Sequence, residues 1–224
     1  MTVTLGFDVY GTLIDTAGVT EALKHYAGEN AAAFSSLWRD KQLEYSFRRA
    51  LMQNYVPFTI CTRQALDYTC SAFKLDVSNT DRDELMAGYR KLPAFADVQA
   101  SLPPLKDRGF RLFAFSNGRP DDVVALLENS GISSYFEDVV STDEIKSFKP
   151  NPAVYAHFLR RTGATGKEAW LISGNPFDVI GAISAGLRGA WLKRSAQALY
   201  DPWEIKPTVT ISTIAELADA VSSQ

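Results

Sequence analysis

Histidine and cysteine are scarce in this chain, with two of each among 224 residues. His25 and His157 are isolated, without the spacing of metal ligands, and read as structural or surface residues. Cys61 and Cys70 fall within one helical pattern, which would set them about 13.5 Å apart along the axis. A disulfide needs Cα atoms within about 7 Å, so both read as buried free thiols of a reducing compartment. No apolar run approaches the roughly 20 residues needed to cross a bilayer. The N-terminal apolar run lacks a basic region and is interrupted by Asp8, so no secretory signal is expected and the protein is expected to be cytoplasmic. A strong charge of one sign is also missing. Net charge is −3 and the isoelectric point about 5.5, which directs nothing towards nucleic acid or an anionic membrane. There is no GxGxxG, no P-loop, no internal repeat and no heptad seam.

What remains is a chain rich in core material, 46% hydrophobic and 22% charged, enough for one domain with an insertion or two small ones. Residues 3–8 form a strand candidate. From Val19 to Leu92 the rhythm is helical: Phe34, Leu37, Trp38 and Tyr45 recur at helical spacings, as do Leu66, Cys70 and Phe73, then Leu85, Tyr89 and Leu92. Asn54–Val56–Pro57 reads as a break between helices. After Pro93 short apolar runs alternate with helical segments: strands at 110–116, 137–141, 169–173 and 189–193, and helices at about 120 onward, 152–162, 177–186 and 213–222. A further helix is expected over 97–107, kinked or starting late because Pro103 and Pro104 fall inside it. This alternation predicts an α/β fold, a Rossmann-like parallel sheet with helices on both faces and a helical cap inserted after the first strand. Residues 1–14 and 94–224 are expected to form the core and 15–93 the cap.

In an open parallel sheet, ligands gather at the carboxyl ends of the strands. The first strand ends in Asp8, within FDVYGTL. The next ends at Ser116-Asn117. Lys149-Pro150 precedes a helix, and SGNPFD supplies Ser173, Asn175 and Asp178. Separated segments thus deliver two carboxylates, one lysine and several hydroxyl or amide groups to one edge. Each alone has a plain structural reading as a cap, a turn or a solvated lysine. Their joint order does not.

DVYGTL, SNG, KP and SxNxxD, in this order, resemble the haloacid dehalogenase superfamily. DxYGTL together with the helical stretch LWRDKQLEYSFRRALM (37–52) resembles its founding branch, the L-2-haloacid dehalogenases of type II. The likeness runs from about Leu5 to Lys193. Superfamily phosphatases carry a second carboxylate two residues after the nucleophile, to protonate a leaving alkoxide. Here that position is Tyr10, whose reference pKa of about 10 suits it poorly to proton cycling near neutrality. A departing halide needs no proton, and a 2-haloacid carries no phosphate charge for a metal to neutralise. The exchange therefore fits carbon–halogen cleavage, with no cofactor and no metal.

The resemblance implies hydrolytic dehalogenation of small (S)-2-haloacids to (R)-2-hydroxy acids, with inversion, through an aspartyl ester. Asp8 is the expected nucleophile. Arg39, from the cap, and Asn117 would cradle the halide, with Phe177 lining the pocket. Ser116 and backbone amides after Asp8, Gly11 among them, would bind the substrate carboxylate. Lys149 would hold Asp8 ionised, and Asp178 would position or activate the hydrolytic water. Thr12, Ser173 and Asn175 would orient these charges. Tyr155 would bound the pocket beside Lys149, while Tyr10, Leu43 and Phe58 would wall the substrate's side chain. Partners implied are a small halogenated acid, a halide ion and a second copy of the chain. Gly174, where a second serine is common, Asp40, where a glutamine is common, and Arg119 depart from the pattern. The competing readings are a Mg²⁺-dependent phosphatase of the same superfamily, against which Tyr10 argues, and a catalytically silent binding protein, against which Asp8, Lys149 and Asp178 argue.

Overall fold

The structure, a computed structural model, describes residues 2–224, so Met1 of the expected core segment lies outside the described residues. Six parallel strands form one sheet: β1 (Thr4–Asp8), β2 (Arg111–Ser116), β3 (Asp138–Ser141), β4 (Ala169–Ser173), β5 (Arg188–Leu192) and β6 (Val209–Ile211), in the order β3-β2-β1-β4-β5-β6. β1 lies at the centre and is buried along its whole length, as its unbroken apolar run requires. Around it pack α5 (Val98–Asp107), α6 (Pro120–Asn129), α7 (Pro152–Thr162), α8 (Pro176–Ser184) and α9 (Leu217–Ser222). The side-chain period of two divides the strands between two cores. Leu112, Ala114, Trp170 and Ile172 join α5, α6 and α9 on one face. Their neighbours Phe113, Phe115, Ala169 and Leu171 join α7 and α8 on the other.

Two expectations needed correction. β6, a three-residue strand paired only with β5, is too short to leave a readable alternation. The helix expected to be kinked or to start late does not start late: α5 runs from Val98 through Pro103 and Pro104 to Asp107. The carbonyls that Pro103 and Pro104 leave without helical donors belong to Gln99 and Ala100, both exposed residues on the solvent side of α5.

Between β1 and α5 stand four helices: α1 (Val19–Ala27), α2 (Ala31–Leu51), α3 (Phe58–Ala72) and α4 (Asn79–Tyr89). The break falls at Asn54–Pro57, as the sequence indicates. Phe34 and Trp38 of α2, Leu66 and Cys70 of α3, and Leu85 and Tyr89 of α4 are buried, while Leu37, Tyr45 and Phe73 are half-buried. The Trp38 indole N–H donates to the Thr62 carbonyl at 2.9 Å and ties α2 to α3. The outgoing and returning chains run side by side: the Asp15 N–H donates to Pro93 O, and the Phe95 N–H to Leu13 O, each at 2.9 Å. Leu13, Ile14, Trp38 and Leu92 share one hydrophobic cluster, so the helices are packed onto the sheet layer rather than tethered to it. The Tyr55 hydroxyl, from the α2–α3 loop, bonds to Asp143 after β3 and closes the far side. Cys61 and Cys70 are buried free thiols on α3, and no helix among the described residues is long and apolar enough to cross a membrane.

Candidate active site

The strand order reverses between β1 and β4, and the crevice at their carboxyl ends receives Asp8. Directly after it the chain turns on Gly11, whose φ of 81° lies where side chains are strained. The Thr12, Leu13 and Ile14 N–H groups all return to the Val9 carbonyl, so the turn is tightly held. The two oxygens of Asp8 are treated differently. Oδ2 accepts from Thr12 Oγ1 at 2.7 Å, Asn175 Nδ2 at 2.7 Å and Ser173 Oγ at 3.2 Å. Among the described residues Oδ1 accepts only from Lys149 Nζ, at 3.1 Å. One oxygen is anchored by three donors, and the other keeps lone pairs free for chemistry.

Lys149 is 1% exposed and lies between two carboxylates, Asp8 and Asp178, with its ammonium 2.8 Å from Asp178 Oδ2 and 2.8 Å from the Phe115 carbonyl. Burial alone would pull its pKa down, but the two carboxylates outweigh that and raise it, so it stays cationic. Asp178 is pushed up to about 6, chiefly by burial, with Lys149 opposing and the Asp8 charge adding to the rise. Its other oxygen accepts from the Tyr155 hydroxyl at 2.8 Å. Burial holds the Tyr10 phenol well above its ordinary pKa, a group unable to cycle a proton near neutrality.

A small cavity opens on Asp8, lined also by Tyr10, Arg39, Leu43, Phe58, Ser116, Asn117, Lys149, Asn175 and Phe177. Arg39 reaches it from α2. Its guanidinium donates to Gln42 Oε1 at 2.6 Å and to the Tyr10 carbonyl at 3.2 Å, both neutral oxygens, so its charge has no carboxylate partner among the described residues. Asn117 Oδ1 accepts from the Lys149 backbone N–H at 2.9 Å and from Thr142 Oγ1 at 3.3 Å. That fixes the amide's orientation and leaves its NH₂ as a free donor. Ser116 Oγ accepts from the Gly118 N–H at 3.0 Å, which leaves its own hydrogen free. Phe177 is braced edge-on by Phe47 of α2, with ring centres 4.9 Å apart.

Two expected residues, Gly11 and Tyr155, stand elsewhere than the sequence indicates, and Asp178 lies behind the cavity. The Gly11 N–H donates to Ile14 O at 2.8 Å and is not free for a substrate carboxylate; the Tyr10 N–H has no backbone partner among the described residues and is the available donor of this turn. Tyr155 is fully buried and stands behind Asp178, away from the cavity wall. Asp178 itself is 0% exposed and reaches the cavity through Lys149 rather than lining it.

Two residues were not singled out from sequence. Gln42, fully buried, accepts from Arg39 and from the Tyr89 hydroxyl and donates to Thr62 Oγ1 at 2.6 Å, so it aims the arginine. Its place three residues after Arg39, on the same helix face, is a signal that could have found it. Arg194, just after β5, donates through Nε to the Thr12 carbonyl at 3.0 Å and through Nη1 to Asp97 at 2.6 Å, bracing the nucleophile turn. No local pattern marks it.

Gly174 acquires a physical reason here. A Cβ at this position would collide with the Gly11 carbonyl oxygen. Gly174→Ser should therefore displace the nucleophile turn. We expect a loss of roughly 1–3 kcal/mol of stability and at least about tenfold in turnover, read by thermal unfolding and halide release. A variant with wild-type melting and rate would mean that the turn relaxes freely.

An anchored carboxylate beside a buried lysine, at the floor of a cavity holding an unpaired arginine, is the equipment of a hydrolase that works through a covalent intermediate. A model of the family described as haloacid dehalogenase-like hydrolase matches residues 3–186, and the chain belongs to that family. It is 34% identical over 219 residues to haloacetate dehalogenase H-2 of Moraxella sp. (strain B), covering 97% of each chain. It is 32% identical to (S)-2-haloacid dehalogenase 2 of Pseudomonas sp. (strain CBS-3), covering 96% of this chain and 94% of that one. Its fold matches that of L-2-haloacid dehalogenase from Xanthobacter autotrophicus with chloropropionic acid covalently bound, at a TM-score of 0.93 and 29% identity over 100% of both chains.

Proposed function

We propose that this protein is a hydrolase of carbon–halide bonds that converts small (S)-2-haloacids to (R)-2-hydroxy acids. The observation that carries the reading is the unequal treatment of the Asp8 oxygens: three donors hold Oδ2, and Oδ1 faces only Lys149. Oδ1 attacks the carbon bearing the halogen from the rear, the C–halogen bond breaks, and the electron pair leaves with halide. The Arg39 guanidinium and the Asn117 NH₂ receive that charge against the Phe177 ring. The Ser116 hydroxyl and the Tyr10 N–H hold the substrate carboxylate, with Tyr10, Leu43 and Phe58 around its side chain. Water then attacks the carbonyl carbon of the ester and gives up a proton. The bond from that carbon to Oδ1 breaks, and the departing alkoxide takes a proton back from Lys149, which lies against Oδ1 and Asp178. The hydroxy acid leaves with an oxygen that belonged to Asp8.

Asp178 acts on that water through Lys149, whose ammonium donates to it at 2.8 Å, and is the final acceptor of the proton. Its pKa of about 6 lies near a neutral operating pH. Esterification also removes the Asp8 charge that helps to raise it, so Asp178 is ionised when the water must be deprotonated. Lys149 stabilises the developing charge on the ester oxygen. Residues 15–93 act as the cap over the core formed by 1–14 and 94–224. The buried thiols fit a reducing cytoplasm. Exposed Leu51 and Met52 at the end of α2, with Ile60 and Tyr68 on α3, offer an apolar face for a homodimer.

The test is halide release from chloro-, bromo- and fluoroacetate and from both enantiomers of 2-chloropropionate, with excess EDTA and then with added Mg²⁺. We expect release from the (S) enantiomer, (R)-lactate as product, and full activity in chelator. Loss with EDTA and recovery with Mg²⁺, or release of phosphate from small esters, would favour the phosphatase instead.

A further inference from the structure

Behind the wall formed by Tyr10 and Phe58 lies a second cavity of about 350 Å³, within the size range of small-molecule sites. It sits between α3, α4 and the start of α6. Tyr10 and Phe58 line both it and the catalytic cavity, so the two spaces share one partition, with ring centres 6.1 Å apart. Ile60, Met86, Ala87 and Tyr89 give the second cavity a largely apolar lining, with Thr59 and Thr62 beside them, and at Ile60 and Ala87, both exposed, it opens to solvent. The charged residues at its margin are neutralised in pairs, Arg63 with Asp83 and Arg90 with Asp122. That contrasts with the catalytic cavity, where the Arg39 charge stands without a carboxylate. A space with paired charges and apolar walls has nothing to hold an anion and suits an uncharged hydrocarbon chain.

We propose that this cavity is a subsite for the alkyl chain of longer 2-haloalkanoic acids, reached when the Phe58 ring swings aside. The proposal rests on the dehalogenase reading, in which the side chain of the substrate points at Tyr10 and Phe58. Phe58 is the first residue of α3 and follows Pro57, so its ring can turn without moving the body of the helix, at the cost of its packing against Phe148, whose ring centre is 6.0 Å away. The Tyr10 hydroxyl makes no side-chain hydrogen bond among the described residues, so no such bond pins the other half of the partition. A methylene moved from water into an apolar site is worth about fourfold in kcat/KM. Four added methylenes would then gain about 10²-fold, offset in part by the ordering of the chain.

The experiment is kcat/KM for bromoacetate and for (S)-2-bromoalkanoates from three to eight carbons, in the wild type, in Ala87→Phe, which fills the cavity from α4, and in Phe58→Ala, which removes half the partition. In the wild type we expect kcat/KM to be kept or raised up to at least six carbons. Ala87→Phe should leave the two- and three-carbon acids unchanged and lower the six- to eight-carbon acids at least tenfold. Phe58→Ala should shift the optimum towards longer chains. Parallel profiles for wild type and Ala87→Phe would overturn the subsite. So would an equal loss at every length, which would make the cavity an entrance, and so would a wild type that stops at three carbons. Absence of halide release from bromoacetate and 2-bromopropionate would overturn the dehalogenase reading itself, a failure separate from the others.

Discussion

In a single turnover in ¹⁸O-water, with enzyme in excess over an (S)-2-haloacid, the hydroxy acid leaves unlabelled and the label appears in the peptide carrying Asp8. Two routes lead to the same product with the same inversion. In one, Asp8 attacks carbon; in the other, it deprotonates a water that attacks carbon directly. Only the first passes solvent oxygen through the enzyme. The geometry favours it because Oδ2 is anchored by Thr12, Ser173 and Asn175 while Oδ1 is held only by the Lys149 ammonium. A carboxylate so fixed is aimed, and it faces a lysine that Asp178 and Asp8 together keep cationic. Asp8→Asn keeps the shape and removes the nucleophile, and we expect at least about a 10⁴-fold fall in turnover. Labelled hydroxy acid with an unlabelled Asp8 peptide would make Asp8 a general base.

Arg39→Ala is expected to lower kcat about 10²–10³-fold with little change in KM. The charge on the departing halide is largest in the transition state, so a donor aimed at it lowers the barrier more than it strengthens binding. Arg39 is suited to this because its charge has no carboxylate partner among the described residues and its direction is set by Gln42 and the Tyr10 carbonyl. Gln42 accepts from both Arg39 and Tyr89, so the aim of the arginine depends on packing between α2 and α4. Pre-steady-state release of halide separates the first step from hydrolysis of the ester. Near-normal kcat with a raised KM would make Arg39 a clamp for the substrate carboxylate instead.

The sequence by itself determined what depends on near neighbours. The unbroken apolar runs of β1, β2 and β4, with helical rhythm between them, specify a parallel sheet covered on both faces. An aspartate closing β1 just before Gly11 specifies where a reactive carboxylate meets a tight turn. Helical spacing from Val19 to Leu92 specifies an inserted helical layer, and Cys61 and Cys70 on one helix exclude a disulfide between them. Period and turn chemistry operate over a few residues, so they are legible in one dimension.

Only the tertiary structure decided how the donors are shared. Thr12 is four residues from Asp8, but Lys149 is 141 away and Asn175 is 167 away. Which oxygen each chooses follows from where the strand ends meet. The same holds for the Gly11 N–H, taken up by Ile14, for Tyr155, turned onto Asp178 and away from the cavity, and for Arg194, brought to the Thr12 carbonyl across 182 positions. Pro103 and Pro104 sit within α5, and the residues whose carbonyls they leave without helical donors, Gln99 and Ala100, are exposed, a matter of which side of α5 meets the sheet. Gly174 admits the nucleophile turn because the Gly11 carbonyl passes where a side chain would stand. A hydrogen bond or a close approach between distant segments is fixed by the packing of whole layers, and no local pattern encodes it.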